Sequence, residues 1–252
     1  MTNPLENLDM ASFVKGFKKA ANIIHMEKPD YIFAPVVGAV PFVDILSIVD
    51  RHFPQDNVEY LPNSSRFVNR DELMAKWYAA FYHVNESGGR MKIVCLDEVL
   101  SGSSAVKGYN QFVKSLDERA KKRAREIFGT AADSEASRRM LKRRIGYKIV
   151  GFEEIGHIQN PSFKRLVHKN IVYPIQFDSI PTIDDVRMNT IRLQVGEKRN
   201  GRDTYLPEVV GFEVTPEYMT LLQNVASYVG VDPSKVGPVN LGKIKQGLER
   251  SQ

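Results

Sequence analysis

Between Met91 and Lys107 the chain reads MKIVCLDEVLSGSSAVK, and these side chains are suited to chemistry by type and spacing. Asp97 and Glu98 stand side by side, and after two apolar residues come Ser101, Gly102, Ser103 and Ser104. A turn of small polar residues lets the main chain approach a ligand closely. Where such a turn opens a helix, its N–H groups, hydroxyls and the helix dipole favour an anion. A phosphate monoester suits a bend of this kind. Carboxylates beside a bound phosphate would repel it, so Asp97 and Glu98 suit neutral hydroxyls, such as a ribose diol, or a cation. The combined expectation is a sugar-phosphate site. The alternative is that the acids merely end a strand and the serines cap a helix, a common arrangement in α/β proteins.

Elements that would hold these residues are legible on either side. Ile93-Val94-Cys95-Leu96 has the length and β-branching of a strand buried on both faces, as in the middle of a parallel sheet. A long helix-forming pattern follows Ala105-Val106-Lys107. Upstream, Phe13, Phe17, Ala20, Ala21 and Ile24 form a helical stripe over 12–27, and Asp30 to Val37 reads as a first buried strand leading into a helix through Val49. Asn57 to Leu61 reads as a second strand, and Asp71 to Tyr82 as a helix whose Trp77 belongs to the core rather than to a base-stacking platform. Downstream, Tyr147 to Glu153 and Ile171 to Phe177 resume the strand pattern. Arg192 to Phe212 reads as a hairpin, and Thr215-Pro216 opens an amphipathic helix that stops at Gly230.

Val94-Cys95-Leu96-Asp97-Glu98-Val99-Leu100-Ser101-Gly102-Ser103-Ser104 resembles the signature of type I phosphoribosyltransferases, glycosyltransferases that use phosphoribosyl pyrophosphate (PRPP). The resemblance implies an α/β fold with a central, mainly parallel sheet flanked by helices. It implies that Asp97 and Glu98 hold the 2′ and 3′ hydroxyls of the ribose. The 5′-phosphate would fall to Ser101, Gly102, Ser103, Ser104 and Ala105. The family's pyrophosphate loop follows its first strand, which places Val37, Gly38 and Ala39 there. This stretch departs from the family pattern in having no Lys or Arg, so main-chain N–H groups and a helix dipole would carry the pyrophosphate. A mobile loop after the second strand would bring Arg66 and Arg70 to pyrophosphate oxygens; the alternative for Arg70, beside Asp71 and Glu72, is a helix start. The implied ligand is PRPP or a ribonucleoside 5′-monophosphate. Mg2+ would come with PRPP, with Asp97 the one candidate protein ligand. An acceptor nitrogen such as that of a nucleobase would attack C1′, or the reverse reaction would run. Ser101 stands where some members carry an aspartate general base, a role serine cannot fill.

Bulk properties narrow the classes further. The 252 residues can bury a large core, and a 42% hydrophobic and 26% charged composition is ordinary for a globular protein. The single cysteine, Cys95, falls in the buried strand and suits a reducing, cytoplasmic setting. No apolar stretch has the length and purity of a membrane span, and the five histidines form no His-x-x-x-His pair for zinc. The net charge of +5 is concentrated: from Lys114 to Lys148 there are twelve basic against five acidic residues. Residues 117–145 look like a basic helical hairpin inserted into the core, its charges surrounding both helices with few apolar positions. Two readings stay open for it, a solvated protrusion that can pack on a second subunit, or a footprint for RNA or DNA phosphates. The acids of FDSIPTIDD, Asp178, Asp184 and Asp185, suit turn and capping chemistry better than a metal site. The expected organisation is a core over 1–190 and a C-terminal extension over 191–252 that recognises the acceptor as a hood, in a homodimer. Transfer is the first expectation; the alternative is a catalytically weak relative that binds a nucleotide or PRPP and acts through the basic hairpin on nucleic acid or a protein partner.

Overall fold

The computed structural model describes residues 8–84, 90–129, 134–154, 156, 160–178, 191–199, 201, 203–239 and 241–252. Five strands form one sheet: β1 (Tyr31–Pro35), β2 (Val58–Leu61), β3 (Met91–Val99), β4 (Ile145–Glu154) and β5 (Val172–Phe177). Their order is β2-β1-β3-β4-β5, and every neighbouring pair is parallel. The expected α/β class with a central parallel sheet is therefore present. A separate antiparallel pair joins β6 (Ile191–Val195) to β7 (Tyr205–Phe212). Asp184 and Asp185 lie outside the described residues.

Side-chain alternation along β3 explains the two layers of helix. Successive residues of a strand point to opposite faces. Val94 and Leu96 enter one core with α1 (Met10–Glu27), α2 (Val40–Val49) and α7 (Pro216–Val229). Ile93 and Cys95 enter the other, with α3 (Arg70–Val84), α4 (Ser103–Phe128) and α6 (Pro161–His168). In the first core Phe152 lies between Phe17 and Phe42, with ring centroids 5.1 and 4.4 Å away. In the second, Phe33 meets Trp77 edge-on at 5.1 Å, and the Trp77 indole donates to the Tyr60 carbonyl at 3.0 Å. Trp77 is thus a core residue, as its helical spacing predicts. Cys95 is buried, and desolvation pushes its thiol well up.

Several boundaries depart from the sequence reading. The long helix expected after Ala105-Val106-Lys107 is not among them: it is α4, which runs unbroken for 26 residues from the bend after β3 into the basic segment, and α5 (Ser134–Arg144) packs back along it. The basic residues of α4 leave a buried seam free, formed by Phe112, Leu116, Ala120 and Ala124. The segment after Phe212 joins the main core, because Tyr218, Leu221, Leu222 and Val225 of α7 pack there, as do Ile244 and Leu248 of α8 (Leu241–Glu249). Asp44 of α2, itself buried, accepts from the Tyr218 hydroxyl at 2.5 Å and from the Val239 amide at 2.8 Å. α8 lies against β2 so closely that a Cβ on Gly247 would come within 2.3 Å of the Tyr60 carbonyl oxygen. Arg250 meets Glu59 at 2.6 Å along the same contact, so this helix covers the sheet edge.

Candidate functional site

The chain moves from β1 to β2 on one side and then crosses back over β1 to β3 on the other, so the strand order reverses between β1 and β3. In open parallel sheets the crevice outside the carboxyl ends of the strands at such a reversal is where ligands bind. A cavity of about 1040 Å³ lies here. Its wall takes residues from the ends of β1, β2 and β3 and from the β6–β7 pair.

β3 extends through Val99, which carries Asp97 and Glu98 to the rim of the sheet opposite Gly151 and Phe152 of β4. Both acids line the cavity. Asp97 is only 6% exposed, and burial, reinforced by the negative charge of Glu98, raises its carboxyl to about 8 despite a hydrogen bond from the Glu98 amide. At neutral pH in the unliganded protein Asp97 is largely protonated. A cation arriving there would draw that proton off, and a hydroxyl would find both a donor and acceptors.

The bend after β3 is shaped by a glycine and by α6. Gly102 has φ of 76°, and a Cβ there would meet the Phe163 ring at 2.7 Å, so backbone and neighbour both require glycine. Asn160 caps α6 by accepting from the Ser162 and Phe163 amides, and its Nδ2 donates to the Ser103 hydroxyl at 3.3 Å. Ser103 N–H donates to Ser101 Oγ at 3.3 Å. The amides of Ser104 and Ala105, in the first turn of α4, have no intrahelical acceptor by the geometry of a helix start. The bend is therefore open: Ser101, Gly102, Ser104 and Ala105 line the cavity. Ser103 is the exception, turned to Asn160.

The first loop is split in the same way. Val37 and Gly38 line the cavity, together with Pro35 and Val36, whereas Ala39 is fully buried at the start of α2. The Val36–Val37 peptide is cis. The Val36 amide donates to Leu61 and the Ala39 amide to Pro35, while among the described residues the amides of Val37 and Gly38 donate no backbone bond.

The loop after β2 brings Asn63, Ser64, Ser65 and Arg66 to the cavity but not Arg70. Arg70 opens α3 instead and pairs with Asp71 at 2.6 Å, the helix-start alternative that its acidic neighbours indicate. The loop is also bonded to the hairpin: Val68 N–H donates to the Tyr205 carbonyl at 3.0 Å and Tyr205 N–H to the Arg66 carbonyl at 2.8 Å. Loop and hairpin thus form one cover rather than a free flap.

Sequence reasoning placed the hairpin in a hood but missed which of its residues enter the wall, where Arg192, Gln194, Tyr205 and Glu213 supply polar groups and Leu193, Val195 and Val210 apolar ones. It also missed Asn63, which is buried at 5% exposure with an Oδ1 that has no hydrogen-bond partner among the described residues. The support from α6 carried a local signal, the Asn160-Pro161 pair, which suits an N-cap followed by a first helical residue. No family model, curated protein or solved structure matches this chain.

Proposed function

We propose that the chain is a PRPP-dependent transferase that moves a phosphoribosyl group to, or from, a nitrogen acceptor. The observation that supports this reading is convergence: Asp97 and Glu98, the bend at Ser101, Gly102, Ser104 and Ala105, the turn at Val37 and Gly38, and Arg66 line one cavity at the sheet's order reversal. In this reading the bend binds the 5′-phosphate through the Ser104 and Ala105 amides and the dipole of α4. Asp97 and Glu98 grip the ribose diol and hold C1′ facing the hairpin. The Val37 and Gly38 amides and the Arg66 guanidinium take the pyrophosphate as charge builds on it, and the β6–β7 cover excludes water from a cationic sugar.

Magnesium fits this donor set in a limited way. Among the described residues no group of three or more His, Cys, Asp or Glu side chains gathers to cage a metal. Asp97 and Glu98 are nevertheless hard oxygen donors of the sort this ion accepts while keeping phosphate and water ligands. When bound it would neutralise pyrophosphate charge. Ser101 cannot supply a general base, so an acceptor that must lose a proton would find its base elsewhere in the wall, where Glu213 is the carboxylate outside the diol pair.

A second reading keeps the ligand and drops the turnover. It is favoured by the first loop, whose cavity residues Val36, Val37 and Gly38 bring no cation. One experiment separates the two. Thermal shift with PRPP plus magnesium and with nucleoside monophosphates reports binding, and pyrophosphate release with a panel of bases reports transfer. Stabilisation with release supports transfer; stabilisation without release supports the binding protein; neither at millimolar ligand would refute both.

A further inference from the structure

We propose that the α4–α5 hairpin is an arm that docks duplex nucleic acid through its phosphates. The buried seam of α4 leaves the opposite face to Lys114, Lys121 and Arg125, all exposed. At 3.6 residues per turn these three fall within about 40° of one another, and at 1.5 Å per residue they extend over about 16 Å. α5 adds exposed Arg139 and Arg143. Lys122 and Arg139 are tempered by Glu126 at 3.9 Å and Glu135 at 3.7 Å. Among the described residues no ion pair engages Lys114, Lys121, Arg125 or Arg143.

The placement separates this arm from the cavity. α4 starts at the phosphate bend and its 26 residues run about 39 Å, whereas the nine residues of β3 beneath it span about 30 Å. Its far end and α5 therefore overhang the amino edge of the sheet, where Ile145 opens β4 opposite Met91. A duplex lying there leaves the cavity open. From Lys114 to Arg144 the sequence has one aromatic residue, Phe128, so the arm lacks the stacking platforms that hold unpaired bases. Spaced cations on a firm helix suit a row of backbone phosphates, with affinity and little sequence preference.

The test uses the full chain and fluorescence anisotropy with labelled short DNA and RNA duplexes of mixed sequence and the matching single strands. Four unpaired cations predict that log K falls against log salt with a slope of about −3 to −4 between about 50 and 200 mM. Duplex should bind more tightly than single strand, and whichever of DNA or RNA binds better names the source. Lys121→Glu with Arg125→Glu should lower affinity at least about tenfold and make the slope shallower by about 2. Arg143→Glu, on the other helix, is the independent check if the double variant loses its cooperative melt. Undiminished thermal shift with PRPP plus magnesium in these variants would show the cavity untouched. The proposal is overturned if wild type fails to bind duplex at low salt, if charge reversal leaves affinity unchanged, or if single strands bind better. A dimer seen by sedimentation that charge reversal dissolves, without duplex binding, would instead make the partner a second copy.

Discussion

Asp97→Asn should make the unliganded protein more stable at neutral pH while destroying its proposed ligand affinity. The folded protein keeps on Asp97 a proton that the unfolded chain releases near 3.8, because burial and Glu98 raise the folded value to about 8. A group shifted in this direction costs nothing below 3.8; stability then falls as pH rises, and the loss is complete above about 8. At pH 7 the window already crossed, at 1.36 kcal/mol per unit, corresponds to about 4 kcal/mol. The asparagine amide brings N–H groups that need partners, worth roughly 1–3 kcal/mol if unmet, and the cavity admits water to relieve part of that. A net gain of about 2 kcal/mol at pH 7 is expected, roughly 5 °C in Tm for a chain of this size, crossing zero at about pH 5 and becoming a loss of about 2 kcal/mol near pH 4, where only the cost of the amide remains. Urea titrations of both proteins across pH 4 to 8.5 would measure it, and thermal shift with PRPP plus magnesium would show the lost binding. An asparagine variant that is less stable by the same amount at every pH would refute the reasoning, since it would mean that Asp97 carries its charge throughout.

Other expectations follow from the same geometry. Asp44, raised to about 7 by burial against the bonds from Tyr218 and Val239, has the same sign, so Asp44→Asn should flatten the stability curve between 3.8 and about 7 and leave the slope from there to about 8 intact. An unchanged curve would mean that Asp44 does not titrate in that range. Ser104→Asp places a carboxylate at the first turn of α4, where the dipole welcomes it; unliganded Tm should hold or rise by up to about 1 kcal/mol equivalent while stabilisation by PRPP disappears. Retained PRPP stabilisation would remove the phosphate from that bend. Gly102→Ala should lower stability in urea by at least about 1–2 kcal/mol from the positive φ alone, with more from the Phe163 contact; a neutral result would contradict the geometry of the bend.

Local chemistry announced much of this molecule and long-range pairing hid the rest. The strands were visible because Ile93 to Leu96 and Ile32 to Ala34 are short apolar runs, buried on both faces. α7 was visible because Thr215 caps it, accepting from the Tyr218 amide, and Gly230 stops it. The acids and the bend were adjacent in sequence, so their common cavity could be anticipated. The joining of loop and hairpin into one cover could not: it depends on Arg66, Phe67 and Val68 meeting Tyr205, residues far apart in the chain and joined by main-chain bonds that leave no mark on side-chain pattern. α8 escaped notice for a related reason. Gly242 and Gly247 argue against a helix locally, yet Gly247 is needed where the helix presses on Tyr60. Arg70 and Ala39 were placed at the cavity by the family resemblance; helix starts at α3 and α2 claimed them, and for Arg70 the acidic neighbours Asp71 and Glu72 had marked that alternative.

The roof of the cavity and the closing wedge of the hydrophobic interior belong to one uninterrupted stretch of chain. β7 leads through Thr215 straight into α7, whose Leu221, Leu222 and Val225 sit against α2, and α8 then fastens to β2. Anyone wishing to reshape this wall by grafting a different hairpin would have to transplant it between fixed anchors at Ile191 and Thr215, because removing everything beyond Ile191 would strip the sheet's first face and expose its edge. Swapping the lid is feasible; amputating it is not.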